Sequence, residues 1–411
     1  MTRPRFGRAA RVSIGVGTGL AFSNAVSTVF VSMYLYRGLD SIAALTVFNL
    51  GQFVLMPLGF YLAALVARRF GNRSSMALGL SLFVAFYGLL VALGEASSRN
   101  LAALGVVNGL ANGFFWFPFN IVTARAAEES DKGRFFGLSG ALGSAATAAG
   151  PLVSTLAITL APDPESGYAM LFLSIVAVTA AMTIAALSLP SDASPGPIGF
   201  ARHLRSRGDG RWNFALKVSF ASGIRDGANW SVMSILILQG AGSETAAGYL
   251  ALGFAILGIG ASYLVGKALR PSNYSALWGW GSLAALASSL VIVLRPDFAG
   301  AAASGILWKA AESLVFMPYS AAFLGVLAGY LKEGGGAAGR NIAAETALNA
   351  GRAIGAGSFL ALSLFTADYA RILFPILTLS LPATWLIYRR HASELAAGGA
   401  GRRDGGSRGA A

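Results

Sequence analysis

Twelve long runs of mainly apolar residues follow one another along this chain. They lie near positions 12–36, 42–66, 74–94, 101–124, 136–160, 168–189, 213–240, 245–268, 273–294, 301–329, 341–366 and 369–388. A helix needs about 20 such residues to cross the hydrocarbon core of a bilayer. A soluble fold of this size would instead need a charged surface, and soluble domains carry roughly a quarter charged residues. Here the share is 12% of 411 residues. The fold class expected from the runs is an all-α membrane protein with twelve transmembrane helices.

Polar stretches between the runs divide the chain. Residues 1–189 are expected to form a six-helix bundle and 213–388 a second one, joined by a cytoplasmic linker at 190–212 that contains PSDASPGP and HLRSRGDGR. Residues 389–411 are Gly- and Arg-rich, offer no apolar face, and are expected to form a disordered cytoplasmic tail. The opening MTRPRFGRAAR resembles a signal peptide. The run from Val12 to Tyr36 is about twice the usual 7–15 residues of a signal h-region, so it reads as an uncleaved first span.

The formal charge is +13. A basic balance can indicate nucleic acid, but these residues are scattered between apolar runs and form no soluble basic face. With the N-terminus placed in the cytoplasm, 24 of the 31 Lys and Arg fall in inner segments, 4 in outer loops and 3 inside spans. That asymmetry is the signature of retention on the cytoplasmic side. It predicts cytoplasmic termini in an inner or plasma membrane, and no nucleic-acid partner. Cysteine is absent, and His203 and His391 sit in polar stretches. Thiolate chemistry and disulfides are excluded, and no metal or other cofactor is expected.

The fourth and tenth spans repeat. Gly105, Asn112, Pro118 and Phe119 recur as Gly305, Glu312, Pro318 and Tyr319 at a constant offset of 200, and Asn24 stands opposite Asp226 at about 202. Two pseudo-symmetric six-helix halves follow. In this arrangement the chain resembles the major facilitator superfamily over roughly residues 12–388. The resemblance implies that spans one, four, seven and ten line a cavity between the halves. That family's loop between spans two and three carries a glycine, an acid and basic residues. Here it reads ALVARRFGNRSS, in which Gly71 and Arg73 match, Arg68 replaces the acid and Ala64 the first glycine. The resemblance also implies a cytoplasmic gate in which Arg68 and Arg73 meet Glu128, Glu129 and Asp131 of ARAAEESDKGR; a solvated loop is the alternative. Gly140, Gly143 and Gly150-Pro151 are similar to a reduced Gly-Pro motif of exporting members. Close helix packing is the other reading of these glycines.

Charges at membrane depth are the most informative residues, because one at a helix centre costs about 2.5–3.5 kcal/mol on insertion scales. They are Arg225 and Asp226 in the seventh span, Lys309 and Glu312 in the tenth, Glu345 and Arg352 in the eleventh. The N-terminal half offers Ser23, Asn24, Asn49, Gln52, Asn108, Asn112 and Asn120 instead. Arg225 and Asp226 are consecutive and point about 100° apart, so they should seek different partners. Lys309 and Glu312 share a face, and Glu345, Asn349 and Arg352 form one stripe. The candidate substrate-binding set is Asn24, Asn112, Trp116, Arg225, Asn229, Lys309 and Arg352. Glu312, then Asp226, are the candidate proton-coupling groups. Arg225, Asp226, Lys309, Glu312 and Arg352 are expected to converge on one polar cluster. Structural pairing of these charges is the competing reading.

These features point to a monomeric secondary transporter in the lipid bilayer. It would move a small organic molecule by alternating access, coupled to protons, with export favoured by the Gly-Pro element. No GxxxxGK[ST] stretch is present to hydrolyse a nucleotide. An uncoupled facilitator, an uptake permease and a transporter-like sensor or scaffold are the alternatives. A lipid-acting enzyme lacks the convergent catalytic set it would need, so no enzymatic activity is expected.

Overall fold

The computed structural model describes residues 6–39, 41–128, 132–190, 198–205, 209–332 and 337–400, and no strand occurs among them. Twelve helical rods account for most of these residues. The first, α1, runs Arg8–Val26 and continues through a π-helical turn, Ser27–Val31, into Ser32–Arg37. Then come α2 (Ile42–Phe70), α3 (Asn72–Leu93), α4 (Leu101–Glu128), α5 (Lys132–Leu160) and α6 (Pro164–Leu187). The second set is α7 (Gly210–Ala241), α8 (Glu244–Ala268), α9 (Tyr274–Leu294), α10 (Phe298–Lys332), α11 (Ala337–Ser363) and α12, in two pieces, Tyr369–Thr378 and Ser380–Ala400.

Local chemistry sets the boundaries. Ser41, Asp163, Asp209 and Ser243 accept backbone N–H bonds at the starts of α2, α6, α7 and α8, satisfying donors that have no partner within the helix. Between α2 and α3 the chain turns on Gly71 at φ 85°, a conformation that a Cβ disfavours. The loop glycine that matches the family pattern is therefore the one the backbone requires. Pro118 and Pro318, the repeated prolines, both lie inside helices.

Among the described residues, eight helices are long and apolar enough to cross a membrane: α2, α3, α4, α5, α6, α8, α9 and α12. The other four, α1, α7, α10 and α11, include every helix that carries a charge read above at membrane depth. The all-helical fold and a twelve-helix arrangement are thus consistent, with the charges read at membrane depth confined to α7, α10 and α11.

Within the first six rods α2 packs on α4, α3 on α4 and α6, and α1 on α5; within the second six α7 packs on α11 and α12, and α9 and α8 on α10. The two sets meet where α2 touches α11 and α5 touches α8. At the distal end, where α1 finishes, polar contacts join them. Gln239 donates to the Tyr36 hydroxyl at 3.0 Å, the Ala43 amide donates to the Tyr369 hydroxyl at 3.0 Å, and Arg37 lies 3.7 Å from Glu244. At the proximal end, where α1 begins, Gly140, Ala141 and Leu142 of α5 are consecutive exposed residues, as are Tyr263 and Leu264 of α8. Gly150 packs on Ala25 of α1, whereas nothing lies within 4 Å of a Cβ placed at Gly140 or Gly143. In this conformation close packing accounts for Gly150 alone.

A short helix, Phe200–Leu204, ties the two sets at the proximal end. Phe200 stacks near Tyr61 of α2 with ring centroids 5.8 Å apart, and it joins an apolar cluster with Ala338 and Ile342 of α11. Trp212 Nε1 donates to the His203 carbonyl at 2.8 Å, and the Tyr330 hydroxyl donates to Asp209.

Candidate substrate site

In the distal half of the rods a cleft is lined by Asn24, Ser27, Val31 and Ser32 of α1, Phe48, Asn49 and Gln52 of α2, Phe83 and Tyr87 of α3, Asn108 and Asn112 of α4, and Trp230 of α7. The sequence places these groups by helical spacing. Asn49 and Gln52 are three apart, Asn108 and Asn112 four apart, so each pair shares a face. The π-turn of α1 supplies Ser27 and Val31 to the wall; such turns break the regular i to i−4 bonding and recur at functional positions.

The polar wall is cross-linked. Asn108 Nδ2 donates to Gln52 Oε1 at 2.7 Å. Asn112 Nδ2 donates to the Asn108 carbonyl at 2.9 Å and to its Oδ1 at 3.3 Å. Asn49 Nδ2 donates to Ser231 Oγ of α7 at 3.3 Å, a bond across the two sets. The approach that allows the Asn108–Gln52 bond comes from the next residue, Gly109. A Cβ there would fall 2.9 Å from Gln52 Cα, so the two backbones meet where the two amides do.

The ionisable residues stand beside this cleft and fall into two groups rather than one. In the first, Arg352 Nη2 donates to Asp226 Oδ2 at 3.3 Å, Nη1 donates to Asn349 Oδ1 at 3.4 Å, and Asn349 Nδ2 donates to Glu345 Oε2 at 3.4 Å. The Arg352 guanidinium also lies 5.2 Å from the Trp230 ring centroid and 5.9 Å from that of Phe53 on α2. In the second, Lys309 Nζ donates to Glu312 Oε2 at 2.8 Å. Arg225, 2% exposed, lays its guanidinium 3.3 Å from the Trp308 ring centroid. Arg225 and Asp226 therefore do take different partners, on α10 and α11, as their 100° divergence requires. That divergence is also why the five residues cannot meet at one point.

Of the candidate substrate residues, Asn24 and Asn112 line the cleft. Arg352 is paired with Asp226 beside the Trp230 ring, Lys309 is paired with Glu312, and Arg225 is stacked on Trp308. Asn229 has a buried Oδ1 with no hydrogen-bond partner among the described residues. Trp116 is not in the wall; it packs edge-on to Phe115 and Phe119 at 5.5 and 5.8 Å. In the gate set, Arg68 is exposed and Arg73 partly buried. Glu129 and Asp131 lie outside the described residues, as does the side chain of Glu128. Phe83 and Tyr87, which the sequence reading missed, come from a helix with no polar stripe. The carboxamides of α2 were legible as the pair at i and i+3.

Residues 12–361 match the sequence model of the Major Facilitator Superfamily. The uncharacterized protein YqgE of Bacillus subtilis is 24% identical over 296 residues, covering 72% of this chain and 69% of that protein. An uncharacterized protein of Geobacillus stearothermophilus, from the sodM 3' region, is 26% identical over 190 residues, 46% of this chain and 88% of its own. Two crystal structures share the fold. The nucleoside transporter NupG superposes with TM-score 0.68 at 11% identity, covering 95% of this chain and 99% of its own. The fucose:proton symporter FucP of E. coli gives TM-score 0.60 at 15% identity, covering 92% and 97%. With 350 residues matched and the same helical architecture around a central polar cleft, the chain belongs to the major facilitator superfamily.

Proposed function

We propose that this multi-pass membrane protein is a secondary transporter that moves a small organic solute by alternating access, driven by protons. The observation that carries this reading is the polar cleft within the first set of rods, lined by α1, α2, α3 and α4 and reached from the second set by Trp230 of α7, with the two sets bonded to each other at the distal end. Alternating access about a midplane site needs such a cleft. Solved proteins of the same fold are named a nucleoside transporter and a fucose:proton symporter, which supports a small solute and a proton as cargo. With both termini and the 190–212 linker in the cytoplasm, the proximal end faces the cell interior.

Glu312 is the proposed proton carrier, with Asp226 second. Glu312 is bonded to Lys309, yet its side chain is 46% exposed, so a rearrangement can separate the pair and let a proton take the cation's place. Its counterpart in the repeat is the neutral Asn112. The test is flux in proteoliposomes with an imposed pH gradient. Glu312→Gln should lose gradient-driven accumulation and keep solute exchange between equal pools. Wild-type coupling in that variant moves the role to Asp226. Export is the direction favoured by the resemblance of Gly140, Gly143 and Gly150-Pro151 to a reduced Gly-Pro motif, and the same assay with the gradient reversed reads the direction.

A further inference from the structure

We infer that the solute is an uncharged, multiply hydroxylated ring compound; this rests on the transporter reading and narrows it. The cleft wall contains no charged side chain. Its polar atoms belong to five carboxamides, two serines and a tyrosine, and its apolar faces to Phe48, Phe83, Tyr87 and Trp230.

A carboxamide presents donors and an acceptor side by side, and a hydroxyl is both at once. A wall of amides therefore matches a solute that bristles with hydroxyl or carbonyl groups. Among the described residues, Gln52 Nε2 and Asn112 Oδ1 have no protein partner and are reached by solvent, so they remain for a ligand. The aromatic faces suit the flat side of a ring, whether a base or the C–H face of a sugar.

The neighbouring cations do not alter this. Arg352 is bonded to Asp226 and is not in the wall, Lys309 is bonded to Glu312, and Arg225 is stacked on Trp308. An organic anion would enter a wall with no counter-charge to meet it. A cation would fare no better, since the wall offers it no carboxylate. In a site of low dielectric an unpaired charge is strongly disfavoured.

Matched probes isolate the charge. Purified full-length protein is titrated with glucose, glucosamine and glucuronate, and with uridine and uridine 5′-monophosphate, following tryptophan fluorescence and thermal shift. At least one of glucose or uridine should bind at least tenfold tighter than its charged analogues, and the winner separates the sugar from the nucleoside class. Gln52→Leu should weaken that binding at least tenfold with the melting temperature nearly unchanged. Charged probes that bind equally well or better overturn the inference, as does failure of both neutral probes to bind below 10 millimolar. Binding of a neutral probe without counterflow in proteoliposomes would remove the transporter reading and leave the solute class standing. Counterflow of a charged probe alone would do the reverse.

Discussion

The two halves handle polarity in opposite ways. On α2 and α4 it is held as neutral amides bonded to one another, whereas on α7, α10 and α11 it is held as ion pairs and a stacked arginine. The construction beneath is shared. Gly109 follows Asn108, and the backbone it admits is that of Gln52, the partner of Asn108. Gly227 follows Asp226, and the backbone it admits is that of Arg352, the partner of Asp226. In each half a missing Cβ lets two helices close until a polar side chain and its partner are within reach. What the halves do with that contact differs: one builds a wall of amides bonded to one another, the other a set of charges paired or stacked within the half.

The strongest way to break this comparison is to restore the Cβ. In Gly227→Ala the new methyl would collide with the Arg352 backbone, which cannot swing aside. Overpacking should cost about 3 kcal/mol, read as a clear fall in detergent melting temperature, and Gly109→Ala should behave alike. An unchanged melting temperature for both would refute the shared construction. Asp226→Asn tests the ionic half next. It strands Arg352, whose side chain is only 12% exposed. Loss of one partner of a fully buried pair costs about 3–5 kcal/mol; with Asp226 37% exposed, about 2 kcal/mol is expected. Partial recovery in Asp226→Asn/Arg352→Gln would show that the stranded charge, not the lost bond, dominates.

Asn108→Leu is the neutral counterpart. Interhelical bonds of this kind average about 0.6 kcal/mol, so melting should barely move while solute binding falls at least tenfold. A large stability loss would mean the amide wall is structural, as the ion pairs are. The smallest effect concerns the joint between halves. Burial, then Arg340 and Arg202, push the His203 imidazole below its ordinary 6.5. A lowered histidine value means the linker contact is at full strength above pH 6.5 and weakens as pH falls below it. Amide exchange in residues 200–204 should therefore quicken modestly at pH 5 relative to pH 7.5, and His203→Gln should flatten that dependence.

Much of this was readable from residues alone. Helix existence followed from run length, and the divergence of Arg225 from Asp226 followed from 100° per residue. The Lys309–Glu312 pair followed from a spacing of three. The location of the cleft was not readable in the same way. Charges at depth drew attention to α7, α10 and α11, but those charges pair or stack within these three helices and none enters the wall. The wall instead draws Phe83 and Tyr87 from α3 and Trp230 from α7, residues that look like ordinary packing in any local window. They become a wall only because α2 and α4 approach at Gly51, Gly59, Gly105, Gly109 and Gly113, a long-range fit that no periodicity reports. The proximal gate is a different case, because Glu129 and Asp131 lie outside the described residues.

The pairing on α7, α10 and α11 has an electrical consequence. Moving one elementary charge through 100 mV changes its energy by about 2.3 kcal/mol, so a transporter half with uncompensated charge would be pushed or held by the membrane potential as it tilts. Arg225, Lys309 and Arg352 balance Asp226, Glu312 and Glu345 in formal charge. In the proposed cycle, a rigid tilt of this half therefore moves no net formal charge of these six residues across the field.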